Sequence, residues 1–262
     1  VDAKDSNTDS ALEIAERLKW KKVAATLTDP SVLFWNYTNR ANKMYKAGDY
    51  DIACDVYAKS FEMLVQVKPQ PSEANQATLH YNYARAAIFM SQHMLALEQC
   101  EAALKLKSDY HQALEQRAKC HMSLFNFDMA IDDYKTLCKL VTSGSASEGL
   151  DQKNVAMWER QQAEALRTKN RTHYDILGVE KTATPSELKK AYRTQCLAWH
   201  PDKHATTPEG RHRAHYMFQR VNEANEILSQ PTKRSAYDRS KGFSSFGGAR
   251  RYSHNWGEDH EM

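Results

Sequence analysis

Small and apolar residues recur along the first half of the chain at intervals too long for one helix or strand. Ala53, Ala96 and Ala130 stand 43 and 34 residues apart, and Ala41, Ala84 and Ala118 repeat both intervals 12 residues earlier. Each later alanine follows a short polar step: Gly48-Asp49-Tyr50-Asp51-Ile52, Gln92-His93-Met94-Leu95 and Asn126-Phe127-Asp128-Met129. A period of about 34 residues with two small positions predicts pairs of antiparallel helices that cross so closely that only Ala or Gly fits. The longer first interval falls around Lys68-Pro69-Gln70-Pro71-Ser72, where two prolines end a helix that has overrun its repeat. Three repeats are expected, over residues 33–67, 77–109 and 111–141.

The remaining pattern is also helical. In residues 1–32, Leu12, Ile14, Ala15, Leu18 and Val23 share one face, predicting a capping helix or the remnant of an earlier repeat. Thr142-Ser143-Gly144-Ser145-Ala146-Ser147-Glu148-Gly149 reads as a linker. Residues 151–171 predict a long polar helix with a sparse apolar edge of Val155, Met157, Trp158, Ala163 and Leu166. Thr184-Pro185-Ser186-Glu187 is a helix start: Thr184 at the N-cap, Pro185 at N1 and Glu187 at N3 completing a capping box. That helix places Leu188, Ala191, Tyr192, Gln195 and Trp199 near one side, with Cys196 and Leu197 filling the inward angle and Lys189, Lys190 and Arg193 outward. A second helix carries Phe218, Val221, Ala224, Asn225, Ile227 and Leu228. Between the two lies a polar stretch opened by His200-Pro201-Asp202-Lys203-His204. Ser229-Gln230-Pro231-Thr232 introduces a last short helix, and residues 241–262 are expected to be a flexible tail. The fold class is all-α.

Composition narrows the function. Only 9 Gly and 7 Pro in 262 residues suit a helix-rich chain with few turns. Net charge is +3, but residues 171–241 carry 13 Lys and Arg against 8 Asp and Glu, so the basic character belongs to the His-Pro-Asp half. The five cysteines, Cys54, Cys100, Cys120, Cys138 and Cys196, form no CxxC pair and read as free thiols of a reducing compartment. No apolar run reaches the length of a membrane span, and no signal-peptide core occupies the first 30 residues. The chain begins with Val1, so a fragment or processed product is expected. His204, His212 and His215 lack a Cys or Asp partner set at metal-ligand spacing. No nucleophile–base set, phosphate loop or metal motif points to an enzyme or a cofactor. The modest charge and the lack of aromatic-basic interleaving argue against nucleic acid as a partner.

The period, the paired small residues and Gly48-Asp49-Tyr50 resemble the tetratricopeptide repeat, without its closing Pro and, in the later repeats, without the turn Gly. The resemblance implies a groove lined by the first helix of each pair. Members that bind acidic chaperone tails carry a carboxylate clamp there. At its positions this chain has Asn42 and Asn82, but Thr38, Gln112 and Gln116 replace the three cations, so most of the charge-assisted bonding to carboxylates is lost. The groove is expected to hold a client or another partner protein, with an acidic tail bound weakly if at all.

Residues 172–240 resemble the J domain of DnaJ-type co-chaperones. His173-Tyr174-Asp175-Ile176-Leu177-Gly178-Val179, the capped basic helix, His200-Pro201-Asp202, the second helix and Lys233-Arg234-Ser235-Ala236-Tyr237-Asp238 occur in the family's order. Thr194 and Ala198 stand where members carry further basic residues. The resemblance implies that His200, Pro201 and Asp202 engage a heat-shock-70-type ATPase, with Lys189, Lys190, Tyr192, Arg193, Lys203 and Arg234 as further contacts. The expected function is therefore that of a co-chaperone that stimulates this ATPase. The second reading is a scaffold that uses the J fold for docking alone. Unpaired cysteines and the lack of a retention signal favour the cytoplasm, with the nucleus also open; Asn36 and Asn170 sit in formal glycosylation sequons that would suit the endoplasmic-reticulum lumen.

Overall fold

The computed structural model describes residue 26, residues 28–142 and residues 152–243. The helix expected around Leu12–Val23, the linker after Thr142 and the tail after Phe243 lie outside the described residues. Among the described residues there are eleven α-helices and no strand. The chain divides into two compact units, Val1–Ala165 and Leu166–Met262.

Six helices of the first unit form three hairpins: α1 (Pro30–Ala47) with α2 (Tyr50–Leu64), α3 (Glu73–Phe89) with α4 (His93–Leu106), and α5 (His111–Ser123) with α6 (Phe127–Thr142). All six alanines of the sequence pattern are fully buried. The second hairpin starts earlier than the sequence pattern suggested, because Ser72 caps α3 by accepting from the Asn75 N–H at 3.3 Å.

The three inter-helix turns share one backbone geometry. Gly48, Ser91 and Phe125 all adopt positive φ, at +90°, +56° and +62°. In each turn the next residue's N–H reaches back five positions: Asp49 to Met44, Gln92 to Ala87, Asn126 to His121. This is the Schellman arrangement that satisfies the helix's last carbonyls. The first repeat uses glycine for it, and the later two hold L-residues in the left-handed region.

The hairpins enclose a core of Phe34, Tyr57, Leu79, Cys100 and their neighbours. Burial pushes the Cys54 thiol up to about 11 and that of Cys120 to about 12, so both stay protonated. On the third hairpin Arg117 donates from Nε and NH2 to the two carboxylate oxygens of Asp133, at 3.0 and 2.6 Å.

Helix α7 (Gln152–Lys169) buries Trp158 fully against Leu114, Ala118, Tyr134 and Leu137. Its buried positions are Val155, Trp158 and Ala165. Met157, Ala163 and Leu166 are exposed, contrary to the expected edge. The large indole sets the rotation of the helix: Val155 and Ala165, three and seven residues from it, are buried on its side, and Asn154 and Gln162, four residues from it, are half-buried.

The second unit contains α8 (His173–Leu177), α9 (Pro185–Ala198), a 3-10 turn (Pro201–His204), α10 (Pro208–Leu228) and α11 (Pro231–Ser240). Tyr174, Ile176, Leu177, Leu188, Val221, Ala224 and Leu228 form its core. Thr172 with Asp175, and Thr184 with Glu187, each make both bonds of a capping box. Gly178 ends α8 with φ +71°. Arg220 of α10 donates to the carbonyls of Lys169 and Arg171 at 3.0 and 3.1 Å, covering an acceptor that the end of α7 leaves open and one just beyond it.

Two expectations change here. Leu197 is 62 % exposed rather than turned inward. It lies nine positions after the buried Leu188, half a turn away at 3.6 residues per turn. Phe243, placed by the sequence in the flexible tail, sits under the Lys181 ammonium, 3.3 Å from the ring centroid, close to the Tyr174 and Tyr237 rings.

Candidate functional site

The His200-Pro201-Asp202 turn sits between the end of α9 and the start of α10. His200 caps the 3-10 turn with its own side chain: the Asp202 N–H donates to Nδ1 at 3.3 Å, and the Lys203 N–H donates to the His200 carbonyl at 3.0 Å. Nδ1 is also 3.6 Å from Asp202 Oδ2, beyond hydrogen-bond length. The cap therefore describes the pair better than an ion pair does, with Nδ1 as the acceptor. Pro201 at N1 fixes φ and has no N–H to leave unsatisfied. The Asp202 side chain is 91 % exposed and aims its carboxylate outward.

The neighbouring face of α9 is basic. Lys189, Lys190 and Arg193 are exposed along it, and Lys203 extends the row past the turn. Exposed cations of one sign steer an acidic partner surface over roughly a Debye length, about 8–10 Å. Leu197 adds an exposed apolar side chain between this row and the turn. On the other side Phe218 meets the His200 ring edge-on at 6.3 Å. Phe218 is half-buried and supports the turn rather than the main core.

Two residues assigned to partner contact are used internally. The Tyr192 hydroxyl, half-buried, donates to Asn222 Oδ1 at 3.1 Å and ties α9 to α10. Arg234 donates from Nε to the Tyr174 hydroxyl at 2.9 Å and from NH2 to the Lys181 carbonyl at 2.8 Å. Tyr174 in turn donates to Asp238 at 2.8 Å. This network docks α11 on α8, so the Arg234 guanidinium is a brace that spends two of its donors inside the domain.

The repeat-groove candidates also separate. The Asn42 carbonyl oxygen accepts from the Tyr57 hydroxyl at 2.7 Å and from Asn82 Nδ2 at 3.2 Å. Thr38 is 8 % exposed, with its hydroxyl 3.4 Å from Ser60 in the α1–α2 contact. It corrects the expectation of a groove position: a β-branched side chain on the inner side of α1 fills the helix crossing. Gln112 is exposed and Gln116 half-buried on α5. The cation missed by sequence reasoning is Arg85, which lies over the rings of Tyr45 on α1 and Tyr81 on α3, at 4.7 and 5.6 Å. Only the packing of α1 against α3 brings those rings together.

Residues 172–238 match the DnaJ domain family. They are a DnaJ domain. Over most of its length the chain is similar to DnaJ homolog subfamily C member 7 of Mus musculus, at 32 % identity over 75 % of this chain and 37 % of that protein. The Schizosaccharomyces pombe homolog is 36 % identical over 78 % of this chain and 39 % of that protein. The chain thus spans less than two-fifths of the length of these curated relatives. Among solved structures, "First TPR of Spaghetti (RPAP3) bound to HSP90 peptide SRMEEVD" covers 52 % of this chain and 95 % of that one, at 23 % identity and TM-score 0.41.

Of the candidate residues in the DnaJ domain, His200, Pro201, Asp202, Lys189, Lys190, Arg193 and Lys203 are exposed, and Leu197 is exposed beside them. The sequence pattern turned Leu197 inward and left unmentioned Gly210, where a Cβ would stand 2.9 Å from the His204 carbonyl oxygen. The signal for Gly210 was legible, since a glycine inside the first turn of a helix marks a close backbone approach.

Proposed function

We propose that this protein is a co-chaperone whose DnaJ domain stimulates ATP hydrolysis by a heat-shock-70-type ATPase. The carrying observation is the capped His200-Pro201-Asp202 turn, with its carboxylate outward, beside an exposed row of cations. The turn supplies directed polar atoms, and the cations raise the encounter rate with an acidic surface. The protein itself performs no chemistry in this reading. The similarity to DnaJ homolog subfamily C member 7 supports the same role.

The repeats hold a client or partner protein in this reading. The clamp positions carry no cation, and their two asparagines are bonded to each other. An acidic tail would therefore find few charged donors there. The three buried and two half-buried free thiols suit the cytoplasm.

Single-turnover ATP hydrolysis by a cytosolic heat-shock-70 chaperone tests the proposal, with the parent chain and with His200→Gln. Stimulation by the parent that disappears in the variant is the expected result. No stimulation by either would replace this reading with a docking module that lacks ATPase control.

A further inference from the structure

The segment after the turn is fastened back onto the end of α9. His204 Nε2 lies 2.8 Å from the Ala198 carbonyl oxygen. A carbonyl only accepts, so Nε2 carries the proton. Ala198 is the last residue of α9, where carbonyls lack partners within the helix. The His204 ring also stacks on Trp199, with centroids 5.5 Å apart and planes 21° apart. The bond and the stack together draw residue 204 over residues 198 and 199, and His200–Lys203 close between them.

The far side is fastened as well. Arg211 donates to the Ala205 carbonyl at 2.6 Å, and Thr207 caps α10 by accepting from the Gly210 N–H at 3.0 Å. A Cβ at Gly210 would stand 2.9 Å from the His204 carbonyl oxygen and 2.9 Å from Thr207 Oγ1. Only a bare Cα lets the first turn of α10 come this close to the loop.

We propose that His204 is a positioning residue. Its bond to Ala198, its stack on Trp199 and the notch at Gly210 form a latch that holds the His200-Pro201-Asp202 turn in its 3-10 conformation before a partner arrives. A turn held in its binding conformation loses less on association, so the latch sets apparent affinity. The mechanical part stands on these contacts, and its effect on the ATPase rests on the function proposed above.

The test uses the full chain with His204→Ala, His204→Phe, His204→Gln and Gly210→Ala. The first readout is amide hydrogen exchange at Lys203, whose N–H bonds the His200 carbonyl. The second is the concentration giving half-maximal stimulation of the heat-shock-70 ATPase. In His204→Ala both should rise about 3- to 10-fold, as expected for one lost hydrogen bond, with maximal stimulation retained. His204→Phe keeps a stacking ring and His204→Gln keeps an N–H donor, so each should fall between parent and alanine. Gly210→Ala should reproduce the rise with His204 intact. Unchanged exchange at Lys203 in His204→Ala overturns the latch. Faster exchange with an unchanged half-maximal concentration overturns the positioning role. A parent chain that does not stimulate the ATPase refutes the proposed function instead, and Lys203 exchange then decides the latch alone.

Discussion

Asn82 donates from Nδ2 to the side-chain oxygen of Asn42, 3.2 Å away, and so joins the first helices of two successive repeats. The same oxygen accepts from the hydroxyl of Tyr57, a residue with no exposed surface. Asn42 is thus a structural hub at a position that the sequence presents as a ligand contact. Asn42→Ala leaves the Tyr57 hydroxyl without its acceptor and should cost about 1–3 kcal/mol in urea unfolding. Asn82→Ala should cost less, because its amide can turn to water. An acidic tail peptide titrated by calorimetry should bind the parent more weakly than about 1 μM, since no clamp cation is present. Tighter binding would refute this account of the groove.

Ser91 carries the left-handed backbone that Gly48 carries in the first repeat. Its side chain is exposed, so glycine removes strain there at little loss of packing. Ser91→Gly should stabilise the chain by about 0.5–1 kcal/mol, with unfolded-state entropy offsetting part of the gain. Phe125→Gly should gain less or lose, because the ring stacks on Phe127 at 5.7 Å. Thermal unfolding of the two variants checks the difference.

Arg117 and Asp133 form a bidentate pair whose carboxylate side chain is only 6 % exposed. Asp133→Ala strands the guanidinium and should cost about 3–5 kcal/mol, somewhat less if water reaches Arg117. Arg117→Met combined with Asp133→Leu should recover most of that loss. Failure of the double variant to recover stability would show that the pair contributes net stabilisation.

His121 is 3 % exposed, and neither ring nitrogen has a hydrogen-bond partner among the described residues. Burial holds it below the ordinary imidazole value, with the Asp133 carboxylate opposing. His80 and His111 are lowered too, again chiefly by burial. For a lowered histidine the unfolded chain binds more protons than the folded chain. Stability is therefore complete above the unfolded value, about 6.5, and falls as the pH drops below it. Urea midpoints should decline between pH 7.5 and pH 5 (both about a unit or more from that value). The decline should be smaller in His121→Gln, which cannot take up the proton.

Arg234 braces α11 against Tyr174 and the Lys181 carbonyl. Arg234→Ala should destabilise the DnaJ domain by about 1–3 kcal/mol, through two lost charge-assisted bonds. Stimulation of the ATPase at a temperature where the variant stays folded should change little. A large loss of stimulation without loss of stability would return Arg234 to the contact surface.

Whatever depends on neighbours along the chain was legible before any fold was known. The capping boxes at Thr172 and Thr184, the left-handed Gly178 and the proline-led turn at His200 are each specified within a few residues. The alanine intervals of 43 and 34 residues are the same kind of signal at longer range, because every hairpin must solve one packing problem. Tertiary structure decided which side of a given helix meets a partner. It turned Leu197 outward and Thr38 inward, rotated α7 about Trp158, and spent the side chains of Asn82, Tyr192 and Arg234 on internal bonds. Periodicity states that a helix has an apolar stripe. It leaves open a rotation of one residue, about 100°, and the identity of the chain that comes to lie opposite. Those are settled by the shapes and hydrogen-bonding groups of residues tens of positions away.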